Sequence, residues 1–279
     1  MACDTAFRIV VRRYLADLTA NHNATCEGDP AALHRMRIAL THLRTAILFF
    51  SPMVADATRT RIRAELKWLN AHLGAMRDMD VAIERLRAID KRHPQAIPHY
   101  RAWTAKRAEI HRDLARALQS VRYRRLVKRT SEWIERGPWS IRKGNQAALK
   151  RASPIAAYSV RKLTRWQKKL LKKSRKLPKM DTAKRHRLRL LNKKLSYSIA
   201  SFEDLFPDGK FSRQRRALKF LRKAQKCLGQ LNDDARGHSL AVAMECEGVP
   251  VPLRFLSRKR EKRLILETVA TYRKLAALE

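Results

Sequence analysis

The chain has 279 residues, with 63 Lys+Arg against 25 Asp+Glu, a formal net charge of +38, and 45% apolar residues. That apolar fraction suits a globular protein and excludes a disordered basic tail. Only 8 residues are Gly, and no GxxxxGK(S/T), GxGxxG or HExxH occurs, so three common enzyme signatures are absent. Like charges at this density repel one another, and a polyanionic partner offsets that repulsion. Nucleic acid, an anionic membrane and inorganic polyanions are the candidates.

The segments between turn signals have helical period and run about 15–25 residues. Breaks fall at Gly28-Asp29-Pro30, Ser51-Pro52, Gly74 to Asp78, His93-Pro94, Gly137-Pro138, Ser153-Pro154, Lys176-Leu177-Pro178, Phe206 to Gly209 and Gly248 to Pro252. Strand-type alternation is missing, so the class is all-α, built as helical bundles. The first clear helix opens with Asp29 as N-cap and Pro30 at the first helical position. Met36, Leu40, Leu43, Ile47 and Phe50 then form its core stripe, and His34, Arg37 and Arg44 a polar stripe on about the opposite side.

The same design returns further along. Asp181 is the N-cap, Leu188, Leu191, Leu195, Ile199 and Phe202 the apolar stripe, and His186, Arg189 and Lys193 the polar one, at an offset of 152 from His34, Arg37 and Thr41. Leu66, Leu73, Gly74 and Asp78 recur as Leu221, Leu228, Gly229 and Asp233 at an offset of 155. The chain reads as an internal duplication. The first half covers 1–136, a connector 137–153 and the second half 154–279, whose first helix holds the basic run Arg161 to Lys176 around Leu163, Trp166, Leu170 and Leu171.

Cys3, Cys26, Cys227 and Cys246 are too scattered for a metal site and read as small core or surface residues. No secretory signal opens the chain, and the longest apolar run, Thr45 to Ala55, contains Pro52 and is too short to span a bilayer. A cytoplasmic, reducing location is expected.

His34-Arg35-Met36-Arg37 with Leu43-Arg44, followed by Leu66-Lys67-Trp68-Leu69, Leu73-Gly74 and Arg77-Asp78-Met79-Asp80-Val81, resembles the CHAD domain, the conserved-histidine α-helical domain. His186, Arg189, Lys193-Lys194-Leu195, Tyr197 and Leu228-Gly229-Gln230-Leu231-Asn232-Asp233 are similar to its second half. The resemblance covers nearly the whole chain. It implies two four-helix bundles related by pseudo-twofold symmetry, a basic surface made by the repeated histidine helices, and binding of inorganic polyphosphate, in some members at polyphosphate granules. Three positions depart from the family pattern: Thr41 and His42 replace basic residues, and Ser196 an arginine.

Polyphosphate binding needs spaced cationic donors and no base-edge readout, which helix faces with Arg or Lys every three or four residues provide. Arg37, Arg44, Arg189, Lys193 and Lys194 are the main contacts expected, with His34 and His186 near helix N-termini and Lys67 and Arg222 extending the surface. Histidines placed there should bind phosphate more strongly as pH falls through about 6–7. Asp78 and Asp233 follow helix-ending glycines and read as capping the next helix or holding a neighbouring arginine, and Asp78 with Asp80 as a Mg²⁺ pair is a minor alternative that the second half does not repeat. Trp68, Trp103 and Trp166 fall on apolar periods and read as core. No metal or cofactor is expected, and no carboxylate accompanies the repeated His/Arg stripes, so the expectation is a non-catalytic binder. Sequence-non-specific nucleic-acid binding is the alternative, and Leu264, Leu266, Val269 and Leu275 leave oligomerisation open.

Overall fold

The computed structural model describes residues 1–90, 100–141, 146–203, 212–246 and 257–278. Among them every regular element is helical. The order is α1 (Cys3–Ala20), α2 (His22–Cys26), α3 (Pro30–Phe49), α4 (Ala57–Asp90), α5 (Tyr100–Gln119) and α6 (Val121–Arg136). Then follow α7 (Pro138–Ile141), α8 (Gln146–Ala152), α9 (Ile155–Ser174), a 3₁₀ turn (Leu177–Lys179), α10 (Thr182–Glu203), α11 (Ser212–Cys246) and α12 (Arg258–Ala276). The chain folds as two compact units, and the division falls inside α9, after Tyr158. No described helix is long and apolar enough to cross a membrane.

In the first unit, α3 begins as its sequence dictates. Gly28 takes φ +92°, a left-handed turn that a side chain would strain. Asp29 Oδ1 accepts from the Ala31 N–H at 2.8 Å, and Pro30 follows at the position where its missing N–H costs nothing. The whole stripe Met36, Leu40, Leu43, Ile47 and Phe50 is buried, and α3 packs along α1. Phe7 of α1 anchors an aromatic cluster, edge-on to Phe50 at 5.5 Å, Trp133 at 5.5 Å and Trp139 at 5.0 Å.

The stretch 137–153, read from sequence as a connector, carries α7 and α8 within this first unit. Trp139 is buried and donates to Trp133 O at 2.8 Å, while the buried Arg151 donates to Met53 O at 3.3 Å.

The second unit repeats the local logic. Asp181 Oδ1 accepts from the Lys184 N–H at 2.7 Å at the start of α10, and Leu188, Leu195, Ile199 and Phe202 are buried, with Leu191 half-buried. α11 packs against both α10 and α12. In α12, Leu264 and Leu275 are core, whereas Leu266 is exposed. One polar node lies in this core. The fully buried Asn192 donates to Leu221 O at 2.9 Å and Gln225 Oε1 at 3.1 Å, and accepts from the Tyr272 hydroxyl at 3.0 Å, so it ties three helices together.

Two expectations change. Gly74 and Gly229 end no helix: α4 runs 34 residues and α11 35, straight through both. An interior glycine costs only about 1 kcal/mol relative to alanine, and the continuous buried row Leu69, Leu73, Met76 and Met79 outweighs it in α4. Asp78 and Asp233 therefore stand inside helices and cap nothing. The breaks at Ser51-Pro52, Gly137-Pro138, Ser153-Pro154 and Lys176 to Pro178 do separate elements. Those at His93-Pro94, Phe206 to Gly209 and Gly248 to Pro252, and the side chain of Cys246, lie outside the described residues.

Candidate functional site

The predicted basic faces sit on α3 and α10, and each unit presents its own. In the first, His34 is exposed and Arg37 and Arg44 are half-buried, all on α3, while Lys67 is exposed on α4. Burial, and then the like charge of Arg63, hold the Arg44 guanidinium below its ordinary value. An anion beside it would relieve both effects.

A cavity of about 510 Å³ opens where α3 begins, walled by Pro30, by Arg77, Asp80 and Arg87 of α4, and by Arg107 of α5. His34, Arg37 and Arg44 are not among its walls. Asp80 is 8% exposed and accepts from Arg107 Nε at 2.8 Å, while its Oδ2 has no partner. Asp80 thus holds an arginine of the neighbouring helix. No group of three or more His, Cys, Asp or Glu side chains among the described residues is placed to hold a metal.

In the second unit the start of α10 borders a cavity of about 440 Å³ lined by Thr182, Arg185, His186 and Arg187, and by Asn232 and Arg236 of α11. His186 Nδ1 and Asn232 Oδ1 are 2.6 Å apart. A carbonyl oxygen only accepts, so Nδ1 carries the proton and Nε2 is the ring atom left for a ligand. Arg185 is turned to Glu261 at 2.6 Å, which leaves Arg187 exposed at the rim. Asn232 was not foreseen as the histidine's partner, and its matching position in the first half is Arg77.

Arg189, Lys193 and Lys194 follow, all half-buried, and Arg222 is exposed on α11. Lys193 Nζ lies 5.2 Å from the Tyr197 ring centre and Lys194 Nζ 3.6 Å from that of Trp166. Burial, with Lys169 adding to it, brings the Lys194 amine down to about 8. The tryptophan reading divides accordingly. Trp103 is core, but Trp68 and Trp166 are half-buried platforms for cations, with the Arg122 guanidinium 4.3 Å over Trp68. A period of 3.6 cannot separate these two environments, because a cation's methylene stem covers a ring as an apolar neighbour does.

The thiols are quiet. Cys3, Cys26 and Cys227 form no disulfide among the described residues, and burial raises Cys26 and Cys227, so those two remain protonated at neutral pH.

A family model described as the CHAD domain matches residues 9–241. Among solved structures, the CHAD domain from the plant Ricinus communis is similar in fold at 24% identity and a TM-score of 0.75, covering 99% of this chain and 88% of that one. PptA from Streptomyces chartreusis is similar at 14% identity and a TM-score of 0.59, covering 100% and 96%. Both likenesses concern the fold. No match is found among curated proteins.

Proposed function

The chain belongs to the CHAD domain family, and from that premise we propose that it binds inorganic polyphosphate, without turning it over, through the His/Arg/Lys faces of α3 and α10. The observation that carries this reading is a shared register. Each of the two helices is capped by an aspartate, and each sets a histidine at its fifth residue and an arginine three positions later. Gly74 and Gly229 likewise are each the eighteenth residue of their helices, which favours the reading of the chain as a duplicated pair of bundles.

The Arg44 guanidinium and the Lys194 amine, whose basicity burial depresses, favour a ligand that brings dense negative charge to them. A flexible chain of phosphates does so without base-edge contacts, and its binding releases counterions as it would for nucleic acid. The α10 cavity supports a binder rather than an enzyme. His186 faces an amide and arginines, and among the described residues no carboxylate lines the cavity to act as a general base. Association with polyphosphate granules in the cytoplasm belongs to the same proposal.

Competition at 150 mM salt tests it: labelled long-chain polyphosphate against duplex DNA and tRNA at equal phosphate concentration. The same titration is run on a variant carrying His34→Ala, Arg37→Ala, His186→Ala and Arg189→Ala. The expected result is a polyphosphate preference of tenfold or more, about 1.4 kcal/mol, lost in the variant. Equal competition by nucleic acid, with the variant binding nearly as well, would sink the reading and leave bulk charge as the explanation. Steady phosphate release that needs His34 would overturn the non-catalytic part.

A further inference from the structure

A second basic face lies in the first unit, on helices that carry neither His34 nor His186. α6 places Arg122, Arg125, Arg129 and Arg136 at spacings of three, four and seven residues, which keeps them within a stripe roughly 60° wide. The first half of α4 faces this stripe with Arg61, Ile62 and Glu65, and the cleft between the two helices has a volume of about 720 Å³.

Arg122 is fixed in place. Its Nε and Nη2 meet Glu65 at 2.6 and 3.1 Å, and its guanidinium lies over Trp68. That contact neutralises Glu65 and leaves Glu132 as the other acid on the wall. Arg61, Arg125, Arg129 and Arg136 are all exposed and form no ion pair among the described residues. Four uncompensated guanidiniums around one cleft repel one another, and a bound anion offsets the repulsion.

The spacing selects the anion. Guanidinium forks grip oxygens in pairs. With Arg122 held by Glu65, Arg125, Arg129 and Arg136 rise along α6 in steps of about 6 and 10.5 Å, a row that one phosphate group cannot span and several linked ones can follow. The cleft has the volume of a small-molecule pocket, commonly about 300–1,000 Å³. Buried Ile62 and Leu126 behind the arginines give it an apolar back wall.

We propose that this cleft is a separate anion site that takes a compact oligophosphate of at least three linked phosphates, either free or as a nucleoside triphosphate. It requires no residue of α3 or α10.

Calorimetric titration of the full chain with ATP, and separately with inorganic tripolyphosphate, at 150 mM salt tests the site. An Arg125→Ala/Arg129→Ala variant should weaken saturable binding at least tenfold. The variant with alanine at 34, 37, 186 and 189 should keep it within about twofold. Both substituted arginines are exposed, so an unchanged melting curve is expected, and Arg125→Gln/Arg129→Gln repeats the test with longer side chains. Tighter binding of ATP than of tripolyphosphate assigns the nucleoside form, and equal binding assigns the bare phosphate chain. No saturable binding of either probe, or an equal loss in the histidine-face variant, overturns the proposal. Long-chain polyphosphate binding, read on the same two variants, tests the α3 and α10 faces separately.

Discussion

Lys194 Nζ rests 3.6 Å from the centre of the Trp166 ring, and Lys162 Nζ lies 5.7 Å from the same ring. The indole thus holds two cations, and the nearer is the one whose amine burial brings down to about 8. Between about 8 and the ordinary 10.5 the unfolded chain binds more protons at this lysine than the folded one, so stability should rise with pH across that window. A bound polyanion restores the charge, so binding takes up a proton there. Polyphosphate affinity should fall about tenfold from pH 7 to pH 9. Lys194→Arg, which stays charged, should flatten the profile. Titrations at the two pH values check this, and an equal fall in the arginine variant would remove Lys194 from the site.

Asn232 sets which ring nitrogen of His186 holds the proton. Asn232→Ala should leave the fold intact, since the residue is half-buried at a cavity wall, and weaken polyphosphate binding about three- to tenfold, or roughly 1 kcal/mol. Asn232→Asp still accepts the Nδ1 proton and should keep the same tautomer of the neutral ring. Proton NMR of the imidazole in both variants reads the tautomer directly.

Gly74 and Gly229 each sit mid-helix, and a Cβ at either would meet nothing within 4 Å. Gly74→Ala and Gly229→Ala should each stabilise the protein by about 0.5–1 kcal/mol, seen as a higher Tm. A loss of polyphosphate binding in either variant would show instead that ligand approaches the backbone there.

Asn192 makes the opposite case. Asn192→Ala strands the buried Tyr272 hydroxyl and should cost about 2–4 kcal/mol, through one unsatisfied group and a cavity. Chemical denaturation should then show a lower midpoint for the second unit.

Asp80→Asn removes the charge facing Arg107. With Asp80 8% and Arg107 29% exposed, the expected loss is about 1–3 kcal/mol. Asp80→Asn/Arg107→Met should recover part of it, as measured in a double-mutant cycle.

What sequence could supply was local. The Asp29 cap, the Pro30 start and the buried row from Met36 to Phe50 all lie within one helix, and so do their counterparts after Asp181. The glycine at 74 misled because its cost is local while the packing that overrides it comes from other helices. The partners of the chemistry-bearing residues are distant in sequence: His186 from Asn232 by 46 residues, Asp80 from Arg107 by 27, and Asn192 from Tyr272 by 80. The arginine cleft stayed hidden for the same reason, since α6 reads alone as a solvated basic helix.

The start of the chain is pinned to a segment made much later. Cys3 N donates to Ser153 O at 3.0 Å, Ile155 N donates to Met1 O at 3.1 Å, and the Tyr158 hydroxyl reaches Phe49 O at 3.0 Å. Seen along the ribosome's clock, α1 and α3 can pair early, but their seam cannot be zipped until about residue 158 has emerged. At about 5–20 residues per second, the roughly 110 residues after α3 make that wait about 5–20 s. During it, the apolar faces that α7 and α8 will cover are open to any chaperone, and a fragment cut after residue 136 would remain in that unsealed form.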